Sequence, residues 1–334
     1  MRTAHNNALH VPVLTRTLID LLAPALEGEA LLIDCTLGMG GHSEAFLSAF
    51  PELRVAGIDR DPAAIRLASE RLEPYGDRFV AVHTTYDDVD LVAAEHGRDG
   101  KADAVLMDLG VSSLQLDEAE RGFSYATDAP LDMRMNPEAG QSAADILATA
   151  SHAEITRILR VYGEEKFAAR IADAIVRRRE TTPLTRTGEL ADIVRESIPA
   201  AARRTGGNPA KRTFQALRIA VNEELDVLEV AVPRAIEAIR VGGRLAVESY
   251  QSLEDRIVKD AIAHGTTSTT PAGLPVELDT HKPYLRALHR GALKADDAEI
   301  AANPRSASVR LRAVERVAPT PDHLFNPEHD RGNR

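Results

Sequence analysis

The stretch at 31–42 reads LLIDCTLGMGGH, an apolar run that ends in a carboxylate and is followed by a glycine-rich turn. The apolar run predicts a buried parallel strand, and residues 43–50 after the turn have helical character. Strand, glycine turn and helix form the opening unit of a nucleotide-binding, doubly wound sheet. The glycine pattern alone fits many cofactors, so it indicates a fold more strongly than a ligand.

Acidic residues at the ends of three predicted strands narrow the choice of ligand. A second apolar run, 55–58, ends in Asp59. This lies about twenty residues beyond the glycines, where such folds keep an acid for ribose hydroxyls. Asp34 ends the first strand and Asp108 ends the strand at 103–108. Carboxylates at these two places favour a cationic cofactor, S-adenosylmethionine, over a nicotinamide.

Length and composition limit the classes of protein to which this chain can belong. The chain has 334 residues, of which 44% are hydrophobic and 27% charged, as in an ordinary globular protein. This length predicts one large domain with an insertion or a second, small domain. No apolar run is long enough to span a membrane, and the polar start lacks a signal core, so we expect a cytoplasmic protein. Cys35 is the single cysteine, which excludes a disulfide within the chain and a multi-cysteine metal site. We predict no metal.

Charge is distributed unevenly along the chain. The net charge is −11, which by itself argues against a nucleic-acid partner. Residues 141–220, however, hold 14 basic against 9 acidic residues, and the remainder holds 26 against 42. A basic segment suits phosphates and an acidic domain suits a cationic cofactor. Ordinary drift of surface charge along a chain explains the asymmetry equally well.

Apolar runs alternate with helical patterns, which predicts a mostly parallel sheet. Further strands are expected at 79–82, 103–108 and 244–249, with a last, antiparallel strand at 308–314. Helices are expected from apolar spacing or capping residues within 18–22, 61–72, 151–162, 168–176 and 190–198, and as one long helix over 214–232.

Two segments lack a regular period. Residues 109–137 form a long run with scattered glycine and proline, and such runs inside a domain are usually functional. This run begins at the carboxyl end of a strand, where open α/β sheets bind ligands, so we expect a functional loop. Residues 200–211 are expected to form a mobile basic loop.

Several long, irregular motifs resemble those of the MraW-type family, the ribosomal RNA small-subunit methyltransferase H enzymes. They are DCTLGMGGHS at 34–43, GIDRDP at 57–62, MDLGVSS at 107–113, QLDEAERGFS at 115–124, PLDMRM at 130–135, RTFQALR at 212–218 and SLEDRIVK at 252–259. The resemblance extends from about His10 to Glu315. It implies a Rossmann-like class I methyltransferase sheet with an inserted all-helical domain.

The resemblance also implies an activity and a division of the chain. The family transfers a methyl group from S-adenosylmethionine to the exocyclic N(4) amine of a cytidine in the decoding region of 16S rRNA, so the small ribosomal subunit is the expected partner. We expect the methyltransferase domain at 1–140 and 215–318, a helical substrate-binding insertion at 141–214, and a flexible tail at 319–334.

The family's cofactor residues fall on particular positions of this chain. They are Gly40, Gly41, His42, Asp59, Tyr86, Asp108 and Gln115, with Asp34 and Gly38 in supporting places. Glycines at a helix N-terminus let the backbone approach a carboxylate, and Asp59 can accept both ribose hydroxyls. Tyr86 offers a flat surface for adenine, and its alternative role is that of a core aromatic at the strand end. Asp34 either orients the glycine turn or serves as a structural cap.

Residues for the methyl acceptor are less sharply specified. Asp108 and Asp132 are candidates to accept a proton of the amine, together with backbone carbonyls of 109–113. Arg134 and Asn222 are candidates to hold the base or its phosphate. Phe123 or Tyr125 is a candidate to stack on the base, and core packing is the expected role of at least one of these two rings. Candidate phosphate contacts are Arg177, Arg178, Arg179, Arg203, Arg204, Lys211 and Arg212, the first three of which also fit a solvated helix face.

One position departs from the family pattern. Gln251 stands where the family commonly has a histidine before SLEDR, so a mechanism that needs an imidazole there is in doubt. Alternatives that remain open are a methyltransferase for another RNA or a small molecule, a nicotinamide-dependent dehydrogenase, and a ribosome-assembly factor without catalysis. The oligomeric state stays open, a homodimer included.

Overall fold

The computed structural model describes residues 12–203, 208–271, 276–322 and 324. It divides into two compact units, one formed by Met1–Gly110 with Asp226–Arg334 and one by Val111–Leu225. None of the helices in the described part is long and apolar enough to cross a membrane.

The first unit contains a seven-stranded sheet in the order β3-β2-β1-β4-β5-β7-β6. The strands are β1 Leu31–Asp34, β2 Arg54–Asp59, β3 Phe79–His83, β4 Ala102–Asp108, β5 Ile239–Ser249, β6 Leu285–Ala287 and β7 Arg310–Arg316. Pairing is parallel from β3 to β5, and β7 runs antiparallel to both β5 and β6. The Rossmann-like class and the antiparallel last strand are confirmed, whereas β6 was not predicted from the sequence.

Helices cover both faces of this sheet. They are α1 Thr15–Leu22, α2 Gly41–Ala49, α3 Pro62–Leu72, α4 Val89–His96, α12 Glu224–Ala238, α13 Ser252–Thr266 and α14 Asp297–Ala302, where α12 starts at the end of the second unit. Successive residues of β1 enter different cores, since Leu31 and Ile33 pack in one cluster and Leu32 in the other. This alternation follows from the two-residue period of a strand, and it leaves the strand ends as the place for polar side chains.

The second unit is helical in its regular elements. These are α5 Ser113–Asp117, α6 Ala143–Thr149, α7 His152–Val161, α8 Ala168–Arg179, α9 Thr187–Ser197, α10 Ala200–Arg203 and α11 Lys211–Asn222. The unit extends beyond the predicted insertion at 141–214. The reason is packing, because Phe123, Leu131, Met133 and Met135 belong to the same buried cluster as the helices.

Two predicted segments have a different local structure. The helix expected over 214–232 is interrupted at Glu223, whose φ of 51° is left-handed and separates α11 from α12. Residues 109–137 are not fully irregular, since Ser112 caps the short helix α5 through a reciprocal bond with Gln115. The cap of α5 depends on a polar side chain that bonds to backbone, for which apolar spacing carries no signal.

Candidate active site

The glycine turn connects β1 to α2 in the first unit. Gly40 has φ 76°, a left-handed conformation that side chains disfavour, and it directly precedes the helix. A Cβ on Gly41 would lie 2.7 Å from Cγ of Pro12, so the close approach there also requires glycine. The turn therefore directs the N-terminus of a nine-residue helix toward the sheet edge, where its amides favour an anionic group.

Asp34 stabilises this turn through hydrogen bonds of its side chain. Its side chain is 1% exposed, and its carboxylate accepts hydrogen bonds from the Thr36 amide at 3.2 Å and the Ser43 hydroxyl at 2.7 Å. Burial raises the pKa of Asp34, an effect only partly offset by His42 and these bonds. The structure thus gives Asp34 the supporting place expected of it, between strand end and helix, and not an open carboxylate facing a ligand.

Asp59 ends β2 next to the same turn. Its two oxygens accept from the Gly38 amide at 2.8 Å and the Asp61 amide at 2.9 Å. Burial raises the pKa of Asp59 to about 6, although both amides act to lower it. Each carboxylate oxygen has a second lone pair, so Asp59 keeps the capacity to accept the two hydroxyls of a ribose.

Tyr86 lies just beyond β3, the edge neighbour of β2. Asp59 and His83 are register partners on these strands. Tyr86 therefore lies three residues after the partner of Asp59. The ring is half-buried against the core of the first unit. Arg234 donates to the Asp87 carbonyl at 2.8 Å and anchors this segment. The position suits an aromatic wall for adenine, and stacking there remains a prediction.

A polar cluster surrounds Asp108 at the end of β4. The Tyr250 hydroxyl donates to Asp108 Oδ1 at 2.8 Å. His42 Nε2, from α2, lies 3.4 Å from Asp108 Oδ2 and 3.7 Å from Oε2 of Glu248. Burial, followed by the neighbouring Asp108, raises the pKa of Glu248 well above its ordinary value. The site therefore contains an imidazole after all, supplied by α2, while Gln251 occupies the N-cap position of α13.

Reasoning from the sequence missed Glu248 and Tyr250. The sequence contained one signal, because Glu248 interrupts the apolar strand at 244–249. Its register with Asp108 on the neighbouring strand is visible only in the structure. Asp108, Glu248 and His42 each offer an atom within 4.8 Å of the others, a donor set that could also hold a metal ion. Cys35 is buried at 2% exposure, and burial raises the pKa of its thiol, as expected for a core residue.

Comparison with known proteins identifies the family. The sequence matches the MraW methylase family over residues 7–317. The chain belongs to the MraW methylase family. It is 62% identical over 315 residues to the ribosomal RNA small subunit methyltransferase H of Beutenbergia cavernae, with 94% of each chain covered. It is 60% identical to the protein of the same name from Saccharopolyspora erythraea, with 92% of this chain and 93% of that protein covered.

A solved structure with a similar chain path is the rRNA methylase from Streptococcus thermophilus, at a TM-score of 0.41 and 13% identity, with 90% of this chain and 95% of that chain covered. Membership of the methylase family confirms a methyltransferase whose cofactor is S-adenosylmethionine and sets aside the dehydrogenase alternative.

Other candidate residues lie in the second unit. Gln115 is 4% exposed, and its side chain accepts from the Ser112 amide at 3.1 Å. Asp132 and Arg134 form a two-bond pair at 2.9 and 2.7 Å. Burial acts to raise the pKa of Asp132, but the bonds from Arg134 outweigh it and the pKa lies below its usual value. The candidate proton acceptor and the candidate phosphate contact thus bind each other.

Asn222 has a different place from the predicted one. It is 2% exposed, and its amide group donates to the Met133 carbonyl and accepts from the Met135 amide, both at 2.8 Å. Met133 has φ 65°, a left-handed conformation that costs free energy in a non-glycine residue. Asn222 therefore fixes the loop that carries Asp132 and Arg134, and a contact with the base or its phosphate, as predicted, would compete with these bonds.

The aromatic candidates also pack inward. Phe123 is 7% exposed in the helical core, and the half-buried Tyr125 packs edge-on against Phe214 at 5.7 Å between ring centres. A base-stacking role for either ring, as predicted, would compete with this packing.

Basic residues of the helical unit fall into two groups. Arg179 donates to the Leu147 and Ala150 carbonyls at 2.7 Å, and Arg178 pairs with Glu189, which fits a structural helix face. Arg203, Lys211 and Arg212 are exposed, at the end of α10 and the start of α11. Arg204 lies outside the described residues. The exposed three remain candidates for phosphate contacts.

Proposed function

We propose that this chain methylates the exocyclic N(4) amine of a cytidine in the 16S rRNA of the small ribosomal subunit. The observation that carries this proposal is 62% identity, over 94% of both chains, to a protein named ribosomal RNA small subunit methyltransferase H. The acidic edge of the sheet suits the cationic methyl donor. The exposed basic residues of the helical unit suit the polyanionic RNA acceptor.

For the donor, we assign the residues that the resemblance selected. S-adenosylmethionine, when bound, supplies a methyl group activated by a sulfonium. The amides after Gly40 would hold its carboxylate at the start of α2, Asp59 its ribose hydroxyls, and Tyr86 its adenine. His42 and Asp108 complete the proposed set in the first unit, and Gln115, in the second unit, is the remaining cofactor residue that the resemblance implies.

For the transfer, alignment supplies most of the acceleration, since displacement at a sulfonium needs little acid–base help. The cytosine amine is a weak nucleophile because its lone pair is delocalised into the ring. A carboxylate that accepts a hydrogen bond from this amine would make its nitrogen more tetrahedral. Asp108 suits this task better than Asp132, because Asp132 is engaged by Arg134 on both oxygens.

For the acceptor, a cytidine in structured RNA has to be unstacked before it reaches the pocket. The helical unit contributes Arg203, Lys211 and Arg212 to hold phosphates during that step. We propose the division into a methyltransferase domain at 1–140 and 215–318 and a helical substrate domain at 141–214 as functional parts. The cytoplasm, where ribosomal subunits assemble, is the proposed location.

The test is methyl transfer to isolated small subunits from cells that lack this activity. Radiolabelled S-adenosylmethionine, followed by nuclease digestion and mass spectrometry, should place the label on N(4)-methylcytidine of 16S rRNA. The Asp108→Asn variant, which preserves shape and removes the charge, should lose transfer while remaining folded. Label on another base, or on free metabolites without any RNA, would overturn the proposal and favour a different methyltransferase. An absence of transfer together with tight RNA binding would favour an assembly factor.

A further inference from the structure

Glu248 is a buried acid that the proposed mechanism does not use. It lies on β5 as the register partner of Asp108 on β4, so the two carboxyl groups project from the same face of adjacent parallel strands. Glu248 is 0% exposed, whereas the side chain of Asp108 is 26% exposed. The Asp108 carboxyl group is therefore partly accessible at the site, and the Glu248 carboxyl group is buried beside it.

The surroundings of Glu248 do not suit a second negative charge. Neither of its oxygens has a hydrogen-bond donor among the residues that the structure describes, and the same holds for both ring nitrogens of His42. The nearest titratable groups on neighbouring elements are His42 on α2, Asp108 on β4, Tyr250 after β5 and Glu299 on α14. Two of these are acids that oppose ionisation of Glu248. His42, 3.7 Å from Oε2, makes no hydrogen bond to it, so a buried carboxylate without a donor is strongly disfavoured here.

A proton on Glu248 would remove its negative charge and would also give one of its oxygens a hydrogen-bond partner. A protonated carboxyl group is a hydrogen-bond donor, and the neighbouring Asp108 carboxylate is an acceptor. Burial and the Asp108 charge both raise the pKa of Glu248, in agreement with this arrangement. The Tyr250 hydroxyl already donates to Oδ1 of Asp108 at 2.8 Å. Asp108 would then be held by two donors, while only one negative charge remains in the pair.

We propose that Glu248 is a positioning residue that carries a proton at neutral pH and, with Tyr250, orients the Asp108 carboxylate toward the methyl donor. The inference rests on the proposed role of Asp108 in donor binding. It adds that the site presents one carboxylate charge, held in a fixed direction, instead of two mobile charges. Metal binding by the same three side chains is the competing outcome, because a metal requires Glu248 to be ionised.

The direct test is infrared difference spectroscopy of the full chain at neutral pH, wild type minus Glu248→Gln. The wild type should show the carbonyl band of a protonated carboxylic acid, and the variant should lack it. This band should disappear as the pH rises through the pKa of Glu248. A merely structural glutamate that is ionised gives no such band, and its absence would overturn the proposal.

Calorimetric titration with S-adenosylmethionine provides the second readout. Glu248→Leu keeps the approximate volume and cannot donate, so donor binding should weaken about tenfold, the usual effect of losing one hydrogen bond to a charged group. Glu248→Gln keeps a donor and should recover most of that loss, and Tyr250→Phe should resemble Glu248→Leu. Equal weakening in the Gln and Leu variants, with unchanged melting temperatures, would contradict the proposal.

Two controls separate the possible failures. If Asp108→Asn binds S-adenosylmethionine as tightly as wild type, the proposed role of Asp108 fails, whatever the infrared result. If Asp108→Asn loses binding but the acid band is absent, only the inference about Glu248 fails. Stoichiometric retention of Mg²⁺ or Mn²⁺ by the wild type after dialysis, abolished by Glu248→Gln, would overturn the shared proton in favour of a metal site.

Discussion

The pKa values of acidic side chains at the carboxyl edge of the sheet and of arginine-paired acids in the helical unit are shifted in opposite directions. At the edge of the sheet, burial raises the pKa values of Asp34, Asp59 and Glu248. In the helical unit, Arg186 lowers the pKa of Asp128 through a hydrogen bond, and Arg134 lowers that of Asp132 against the effect of burial. Acids with arginine partners stabilise local structure, whereas a group of buried acids with raised pKa values indicates a candidate functional site.

The largest expected effect follows from removing Asp59. Asp59→Ala deletes two charge-assisted hydrogen bonds to the proposed ribose, so affinity for S-adenosylmethionine should fall by about 100-fold or more. Titration calorimetry measures this, with circular dichroism to confirm the fold. Affinity within about threefold of wild type would rule out the ribose contact.

Asp59 should also make the ligand-free protein sensitive to pH. Its folded pKa of about 6 is raised above the ordinary value, so its contribution to stability is complete below the unfolded pKa and is lost as the pH rises through about 6. Asp59→Asn should therefore gain about 1.4 kcal/mol of unfolding free energy relative to wild type between about pH 5 and pH 8. Urea unfolding at both pH values tests this, and an equal difference at both would contradict it.

A substitution at Asn222 measures how much a buried polar side chain contributes to the stability of the helical unit. Asn222→Ala leaves the buried Met133 carbonyl and Met135 amide without this partner, which should cost about 2–3 kcal/mol of unfolding free energy. Asn222→Asp keeps the acceptor and loses the donor, so it serves as the matched variant. A change below about 0.5 kcal/mol for Asn222→Ala, a typical surface value, would show that the loop is held by other contacts.

The exposed basic residues should affect RNA binding and leave stability unchanged. Replacing Arg203, Lys211 and Arg212 by alanine should lower the slope of log K against log salt by about one unit for each phosphate that is no longer neutralised. Arg98→Ala in the first unit removes an exposed arginine paired with Glu29 and is the control. Filter binding to 16S rRNA fragments at several salt concentrations measures this slope. An unchanged slope in the triple variant would indicate that these residues form a solvated surface and do not contact phosphates.

The smallest effect is expected at the partly exposed Asp132–Arg134 pair. Arg134→Ala should cost at most about 1 kcal/mol of stability, because water screens such pairs. The exposed pair of Asp192 and Arg195 provides the comparison, with an expected cost near zero. If Arg134→Ala destabilised the protein as much as Asn222→Ala, the pair would be as important to the loop as the buried amide.

The sequence predicted the parts of the site that depend on strand ends. Asp34, Asp59 and Asp108 each close an apolar run, and parallel strands bring their carboxyl ends to one edge. Glu248 and Tyr250 could not be assigned in this way, because their role depends on the register between β4 and β5, which no local pattern encodes. The inward packing of Asn222 and Tyr125 depends likewise on contacts distant along the chain.

A crystal structure of the chain with S-adenosylhomocysteine, the product form of the donor, tests the central claim most directly. We predict ligand density at the carboxyl edge of the sheet, with ribose oxygens on Asp59, the amino-acid end at the start of α2, and the sulfur near Asp108. Density at the opposite edge, in the groove lined by Arg54, Arg98 and Arg240, or no ligand beside these carboxylates, would contradict it.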